Sequence, residues 1–361
     1  MKNRFWLGIV APVSALLLFG MAPANAQSAR DREEKAQSKP RREDRRDGGT
    51  VSASTVIIRE TNNIVVVPSG SGPVVVGGGG RYPGRIINGR FRDVAPRIAF
   101  VSDRGGSPDI YIMWDNGSGL ERLTVRDEAC WQVGFSPVRG RIAYLSAPTI
   151  GGAGVIRMMN ADGARPRQIV PEGLGQVTDI AWGPDDDWLA CVSEKDGNPE
   201  IYIVRADGRQ ARRMTNHLAA DTAPEFAPDG QSLVFISVRD GNPALYELSL
   251  NTVSDLKRLT PTEMPAVSDP AYSPRGNQIV FSAGTVTEKN LYLLNRETGE
   301  ITQLTEKSGK NINPVFSPDG YRIAFSSNRG GNFAIYTMDL KGNDVRQITF
   351  GTSNDFHPSW W

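Results

Sequence analysis

The chain has 361 residues, of which 41 are Lys or Arg and 40 are Asp or Glu, so its formal net charge is +1 at pH 7. This balance gives no electrostatic reason to expect nucleic acid or an acidic membrane surface as a partner. The 38 glycines and 24 prolines are typical of a chain built from many short strands and tight turns.

The first 26 residues have the pattern of a secretory signal peptide. Lys2 and Arg4 precede an apolar stretch over residues 5–19, and residues 24–26, Ala-Asn-Ala, supply the small side chains of a cleavage site. The apolar stretch is shorter than the ~20 residues that a membrane span needs, and no other candidate span follows. We therefore predict export, cleavage near Ala26, and no transmembrane segment in the mature chain.

Residues 27–92 are predicted to form an N-terminal tail. Residues 27–50 carry 14 charged side chains of both signs and no large apolar residue, so this segment cannot bury enough surface to offset the entropy of ordering and should be disordered. Strand-prone runs follow at 56–58, 64–67 and 74–76, separated by Gly, Ser and Pro. Two interpretations stay open for them: a loose tether, or strands that add to a sheet edge in this chain or in a partner.

From residue 93 to residue 361 the chain repeats itself. One aromatic position recurs at spacings of 47, 44, 46, 44 and 44 residues, at Phe135, Trp182, Phe226, Tyr272, Phe316 and Trp360. A Pro-containing turn follows each of the first five, as in Ser317-Pro318-Asp319-Gly320, where Pro fixes φ and Gly accepts a positive φ. Four short strands in each repeat of ~45 residues, with apolar side chains at alternate positions, indicate the blade of a β-propeller.

The strand count predicts how the ring closes. The chain enters the first blade at a second strand, over residues 97–101, and ends on an unpaired first strand over residues 356–360. If that last strand completes the blade begun by residues 97–125, no sheet edge is left open. We predict an all-β fold, a six-bladed β-propeller closed by the C-terminal strand. A helical solenoid is excluded by the period of two, and a seventh blade by the lack of the turn motif in residues 51–90.

The repeat is clearest in residues 313–325, Asn-Pro-Val-Phe-Ser-Pro-Asp-Gly-Tyr-Arg-Ile-Ala-Phe. Further segments of the same repeat follow at 327–331, 335–336 and 348–349. It resembles the WD40-like repeat of the TolB propeller family, and the resemblance covers roughly residues 95–361. TolB proteins carry a globular α/β domain ahead of the propeller. Residues 27–92 have too little apolar periodicity for such a domain, so we predict that this chain lacks it.

The resemblance implies a function without catalysis. TolB acts in the periplasm, in the Tol–Pal envelope system, and binds the peptidoglycan-associated lipoprotein Pal through its propeller. By resemblance we expect a periplasmic, monomeric, non-enzymatic propeller that docks a cell-envelope protein, such as a Pal-like lipoprotein, on one face. The same repeat also occurs in the propeller halves of some peptidases and lyases, because a fold does not determine a function.

Catalytic and metal-binding patterns are sparse in the sequence. His217 and His357 are the two histidines, and no His-x-x-x-His, Cys-x-x-Cys or Gly-x-Ser-x-Gly pattern occurs. The Asp-Gly pairs recur at turn positions rather than in calcium loops. We therefore predict no catalytic residue, no metal and no cofactor. Cys130 and Cys191 do not form a disulfide framework. A bridge between them stays open, although Cys191 fits better as a small buried hydrophobe.

One set of polar residues remains as a candidate site. Three residues before each repeat aromatic lie Gln132, Asp179, Ala223, Asp269, Asn313 and His357. Symmetry places them as a ring at one mouth of the central channel, beside loops that carry Arg104, Arg239 and Arg329, with Trp131 next to Gln132. We predict a partner-binding mouth, in which exposed arginines and the tryptophan dominate the binding energy. Two alternatives stay open: polar groups that only satisfy crowded strand ends through water and backbone, and an enzyme or ligand binder for a saccharide or another small molecule using Asp179, Asp269 and His357.

Overall fold

A computed structural model describes residues 96–361 except 126–127, 149–153, 170, 172 and 253–254, together with the backbone of four N-terminal strands. Strand β1 (Thr55–Glu60) pairs with β2 (Asn63–Pro68), and β3 (Arg85–Ile87) pairs with β4 (Arg90–Arg92). The strand-prone runs at 56–58 and 64–67 thus pair with each other. The signal peptide, the charged segment 27–50 and the run at 74–76 lie outside the described residues, so the predicted tail stays a prediction.

Strands β5 to β28 form six four-stranded antiparallel sheets, the blades, and within the described residues no helix is present. The innermost strands of blades 1 to 6 are β8 (Ala129–Phe135), β12 (Val177–Trp182), β16 (Asp221–Phe226), β20 (Val267–Tyr272), β24 (Asn311–Phe316) and β28 (Asp355–Trp360). The second strands of blades 1 to 6 are β9 (Arg141–Ala147), β13 (Trp188–Ser193), β17 (Ser232–Ser237), β21 (Gln278–Gly284), β25 (Arg322–Gly330) and β5 (Arg97–Ser102).

The two outer strands of each blade follow in the same order. The third strands are β10 (Val155–Asn160), β14 (Glu200–Arg205), β18 (Ala244–Ser249), β22 (Lys289–Asn295), β26 (Asn332–Asp339) and β6 (Asp109–Trp114). The outermost strands are β11 (Arg167–Ile169), β15 (Arg212–Arg213), β19 (Leu256–Arg258), β23 (Ile301–Gln303), β27 (Arg346–Gln347) and β7 (Glu121–Arg122). In the part of the chain described here, no helix is long and apolar enough to cross a membrane.

The C-terminal strand closes the ring. Strand β28 pairs with β5, so blade 6 combines the last strand of the chain with three strands from the start of the repeats. Beyond it, Arg97 and Trp361 exchange two backbone hydrogen bonds of 2.7 and 2.9 Å. The prediction of six blades closed by the C-terminal strand is confirmed. Trp360 packs against Ile98 and Phe100 in the core but stays partly exposed, whereas Phe316, its counterpart in blade 5, is buried.

The core lies between neighbouring blades and is formed by the inner three strands of each blade. In four blades a Phe of the second strand stacks on a Tyr of the third, with ring centroids 5.7–6.1 Å apart: Phe100 on Tyr111, Phe235 on Tyr246, Phe281 on Tyr292 and Phe325 on Tyr336. Such pairs add to the stabilisation from area burial. The aromatic residue that recurs in the second strand of these repeats therefore marks the place where the second strand packs against the third.

Threonine explains why the outermost strands are so short. In five blades the first backbone amide of the third-strand core run donates to a threonine hydroxyl just after the outermost strand: Ile110 to Thr124, Ile201 to Thr215, Leu245 to Thr260, Leu291 to Thr305 and Ile335 to Thr349. A side chain thus takes over one hydrogen bond of the sheet ladder. The strand ends there and the chain is free to turn toward the next blade.

Cys130 and Cys191 do not pair. Both thiols are free and buried, and burial raises the pKa of each to about 12. A thiol with such a pKa stays protonated and unreactive at neutral pH. Cys191 pairs opposite Tyr202 on the neighbouring strand, in the place that Phe holds in four other blades, so the interpretation as a buried hydrophobe is confirmed and the bridge is not formed.

Two faces of the disc are distinguished by strand direction. The face at which the innermost strands begin carries the second-to-third and fourth-to-first strand loops, and we call it the mouth face. The face at which the innermost strands end carries the first-to-second strand hairpins, and we call it the turn face. On the turn face the hairpins interlock, because the glycine of one turn lies against the proline of the preceding turn, as Gly230 does against Pro184.

Candidate partner-binding site at the channel mouth

Each innermost strand contains a β-bulge close to the mouth face. The pairing register with the second strand shifts at the same place in all six blades, for example between Thr222 and Glu225 in β16. Five of the six ring residues adopt a positive φ of 47–55° there: Gln132, Ala223, Asp269, Asn313 and His357. Positive φ is costly for a residue with a Cβ. A β-bulge changes the direction in which side chains point, and here the residues whose direction it changes are those of the ring.

Ring residues bond across the seams between blades. The side chain of Gln132 accepts from the Ile180 amide at 3.0 Å and donates to the Ile180 carbonyl at 3.3 Å. Asp179 accepts from the amide of Ala223 at 3.3 Å. Asn313 donates to Asp269 at 3.0 Å. The structure therefore brings the predicted ring together, and its members hydrogen bond to the next blade as polar groups at crowded strand ends do.

Two ring groups keep unused hydrogen-bonding capacity. The Oδ1 atom of Asn313 is buried and has no hydrogen-bond partner among the described residues. Burial lowers the pKa of His357, and the negative charge of Asp269 opposes this shift only partly. The imidazole is therefore neutral at neutral pH and can donate from one nitrogen and accept at the other. Together these groups can bind a neutral polar ligand group at the mouth.

Glu225 is a site residue that sequence reasoning missed. It occupies the position just before the repeat aromatic, where the other blades have only small or uncharged side chains: Gly134, Ala181, Ala271, Val315 and Ser359. Burial raises the pKa of its carboxyl to about 8. In the described part of the chain, the carboxyl group of Glu225 has no ion pair or hydrogen bond. The signal that identifies it is a single charged residue at a repeat position that otherwise holds small side chains.

Arg104 is held by a clamp rather than free in its loop. Its Nε donates to Ser102 at 2.8 Å, and one guanidinium nitrogen donates to both carboxylate oxygens of Asp355 at 2.8 Å. The guanidinium also lies over the rings of Phe100 and Tyr111, at 5.5 and 5.2 Å from their centroids. The expectation of freely exposed loop arginines is wrong for this residue, because a guanidinium satisfies a carboxylate and an aromatic face together.

The same clamp recurs around the mouth face. Three further blades place a guanidinium against a serine hydroxyl at 2.8–3.0 Å and an acceptor at 2.7–3.0 Å on or just before the innermost strand: Arg239 with Ser237 and Asp221, Arg329 with Ser327 and Asn311, and Arg157 with Ser146 and Glu128. In blade 1 the arginine comes from the third strand instead of the loop. Sequence reasoning missed Arg157 because it occupies the tyrosine position of the other repeats.

Trp131 is partly buried and packs against the apolar core between blades 1 and 2. Gly154 leaves room for its ring, since a Cβ there would lie 2.9 Å from the indole. Within the described residues, no group of three or more His, Cys, Asp or Glu side chains has the geometry to hold a metal ion. The mouth is thus built from a polar ring at the centre and clamped loops around it.

Comparison with known proteins gives the family. The family model described as TolB beta propeller domain matches residues 131–268 and 262–361. A protein TolB homolog from Chlorobium luteolum is 30% identical over 143 residues, which is 40% of this chain and 32% of that protein. A Tol-Pal system protein TolB from Alkalilimnicola ehrlichii is 34% identical over 94 residues, which is 25% of this chain and 22% of that protein. The chain thus spans about a third or less of these relatives.

Solved structures show the same fold. The crystal structure of TolB from Acinetobacter baumannii superposes with a TM-score of 0.65 at 23% identity, over 76% of this chain and 68% of that chain. The fold of this chain is therefore shared with a TolB structure. Because the family model matches more than half of the chain, this protein belongs to the TolB beta-propeller domain family.

Proposed function

We propose that this protein is a periplasmic, non-enzymatic propeller that docks a cell-envelope protein, a Pal-like lipoprotein, on its mouth face. Two observations support the proposal. The chain belongs to the TolB beta-propeller family, and relatives that share part of its sequence are named as Tol-Pal system proteins. Its mouth face also carries the most exposed large apolar side chains among the described residues.

The distribution of exposed apolar side chains is the reason for proposing that the partner binds the mouth face. Among the residues that the structure describes, four large apolar side chains are more than 70% exposed, and all lie in loops of the mouth face: Leu218 at 98%, Val125 at 74%, Val286 at 73% and Phe350 at 72%. On the turn face the most exposed is Tyr321, at 63%. Exposed apolar residues gathered on one face of a protein are candidates for contact with a partner. We call these four residues the apolar rim.

The arginine clamps give the mouth a fixed shape. Arg104, Arg239 and Arg329 tie second-to-third strand loops to the innermost strands, so a partner meets loops that are already ordered. Pre-organisation of this kind reduces the entropy lost on binding. We propose that Arg104, Arg239, Arg329 and Trp131 act mainly by holding the mouth, while the rim and the ring of Gln132, Asp179, Asp269, Asn313 and His357 contact the partner.

A binding assay with face-specific variants tests the proposal. The soluble domain of a Pal-like lipoprotein from the same organism is titrated against the mature chain. Leu218→Asp with Phe350→Asp should weaken binding at least tenfold, because apolar contacts are lost and charges are placed in the interface. The matched control, Val138→Asp with Tyr321→Asp, alters two exposed residues of the turn face and should bind like the wild type. Equal loss in both double variants, or loss only in the control, would contradict the proposed face.

Glu225 and the neutral His357 favour a second candidate, a channel that binds a small polar molecule such as a saccharide. Both groups lie on innermost strands, and both can hydrogen bond to hydroxyl groups in their neutral forms. Calorimetric titration with neutral oligosaccharides from the cell wall, against wild type and Glu225→Gln with His357→Ala, tests this candidate. Heat that persists in the double variant would place such binding elsewhere.

A further inference from the structure

Blade 4 lacks the clamp that blades 3 and 5 on either side of it have; blade 2 lacks it as well, with Val177 and Lys195 at the positions of the acceptor and the arginine. At the start of its innermost strand stands Val267 in place of Asp221 or Asp355, and Ala283 stands in place of the clamp serine. Two residues later, Thr285 takes the position of the clamp arginine. The cation at this end of blade 4 is instead Lys289, the first residue of β22.

Lys289 is a buried cation with an incomplete set of acceptors. Lys289 is only 5% exposed to solvent. The ammonium donates to Ser268 Oγ at 2.6 Å, and Ser268 in turn donates to Asp269 at 2.7 Å. Among the described residues no carboxylate forms an ion pair with Lys289. An ammonium has three N–H donors, and here the one carboxylate linked to it, that of Asp269, is reached only through the Ser268 hydroxyl.

A second lysine lies beside the first. Lys310 pairs with Lys289 through an isolated parallel β-bridge, so the two backbones are direct neighbours. Lys310 is half-buried in the loop that enters blade 5, and over the described ranges it also has no ion pair. Among the described residues neither cation has a direct ion pair, so the positive charge of the two lysines at this edge of the mouth face is balanced only in part, by Asp269 through Ser268. Such charge favours an anionic group from outside.

The other blades show which anion fits. Three blades place a carboxylate beside the corresponding cation: Asp221 with Arg239, Asp355 with Arg104 and Glu128 with Arg157. We propose that Lys289 and Lys310 bind an aspartate or glutamate side chain of the docked partner, which supplies the carboxylate that blade 4 lacks. This inference rests on the proposed function, because it names the partner segment as an acidic peptide that lies across blade 4.

A peptide titration tests the lysine pair directly. The probes are acetyl-Gly-Asp-Gly-amide and its isosteric control acetyl-Gly-Asn-Gly-amide, and the readout is the NMR signal of each side-chain ammonium in lysine-labelled mature protein. The Asp peptide should shift the signals of Lys289 and Lys310 in a saturable way, and Lys341 on the turn face should not move. An equal response to the Asn peptide, or no saturable shift at either lysine, would overturn the inference.

Variants separate the two lysines from general charge. Lys289→Met should abolish the response of Lys310, whereas Lys289→Arg should keep it. Lys310→Gln, at a half-buried position where folding is not at risk, should lower the affinity for the Asp peptide at least threefold. A third probe, acetyl-Gly-Asn-Gly with a free C-terminal carboxylate, should bind more weakly than the Asp peptide; preference for it would overturn the assignment to an acidic side chain.

Lipoprotein binding distinguishes failure of the inference from failure of the proposed function. If the Pal-like domain binds Lys289→Met and the wild type equally while Leu218→Asp with Phe350→Asp abolishes binding, the lysine pair is not a contact and the docking face stands. If the peptide shifts both lysines but no lipoprotein binds, the carboxylate site stands and the proposed partner is wrong. The inference expects a loss of at least fivefold in lipoprotein affinity for Lys289→Met.

Discussion

Asp355→Ala should destabilise the propeller strongly, because Asp355 holds the two ends of the repeat region together. The carboxylate is 1% exposed and accepts two hydrogen bonds of 2.8 Å from Arg104, which is 251 residues away in the chain. The pair therefore links β28 to the loop after β5, the two segments that close the ring. Beside this pair, Asp103 accepts from the amide and the side chain of Asn354 at 2.8 and 2.9 Å and links the same two segments.

The expected magnitude follows from the burial of the pair. A hydrogen bond to a charged group contributes about 1.5–3 kcal/mol net, and the two bonds share one donor nitrogen, so they do not add fully. Arg104 keeps 20% side-chain exposure, and water partly replaces the lost partner. We expect a loss of about 2–4 kcal/mol in the free energy of unfolding. At about 2–4 °C per kcal/mol, the melting temperature should fall by roughly 4–16 °C.

The assay is thermal and urea unfolding of the mature chain, followed by circular dichroism. Asp221→Ala breaks the equivalent pair inside blade 3 and serves as the matched variant. Asp355→Asn should cost less than about 1 kcal/mol, because blade 5 uses Asn311 as the partner of Arg329 in the same position. A melting temperature for Asp355→Ala within 1 °C of wild type, or an equal loss for Asp355→Asn, would refute the role given to this carboxylate.

Three further outcomes are expected. Glu225 ionises near ~4.3 in the unfolded chain but has a pKa of about 8 when folded. Between these two pH values the unfolded chain loses a proton that the folded chain keeps, so the free energy of unfolding falls as pH rises toward 8. In urea unfolding, Glu225→Gln should therefore be as stable as wild type at pH 4 and more stable at pH 9. Phe316→Ala should cost about 3–5 kcal/mol and Trp360→Ala less, since Trp360 is only partly buried; an equal loss would contradict this. Deletion of 355–361 should abolish cooperative unfolding, and a sharp, unshifted calorimetric transition would count against ring closure.

The repeat pattern was sufficient to predict the fold. One aromatic every ~45 residues, a turn motif after it and an offset strand count determine the number of blades and their closure, because each blade buries its apolar positions only against its neighbours. The ring positions also followed from register, since equivalent residues of repeated strands occupy equivalent places around an axis.

The side-chain partners at the mouth could not be predicted in the same way. The bulge that places His357 in a left-handed conformation leaves no mark in the residue types, which include Ala223 as well as Asp269. The clamps join residues from different strands, and in blade 1 the guanidinium arrives from β10 through Arg157. Such pairs depend on distances between strands, and a single sequence does not contain them. The absence of a clamp in blade 4 became meaningful only beside the blades that have one.

Hydrogen exchange of the propeller with and without the Pal-like lipoprotein domain tests the central claim most directly. Backbone amides of the mouth-face loops, at 216–219, 285–288 and 350–354, should be protected when the partner is bound, while the turn-face hairpins at 137–140 and 318–321 should exchange as in the free protein. Protection confined to the turn-face hairpins would contradict docking on the mouth face.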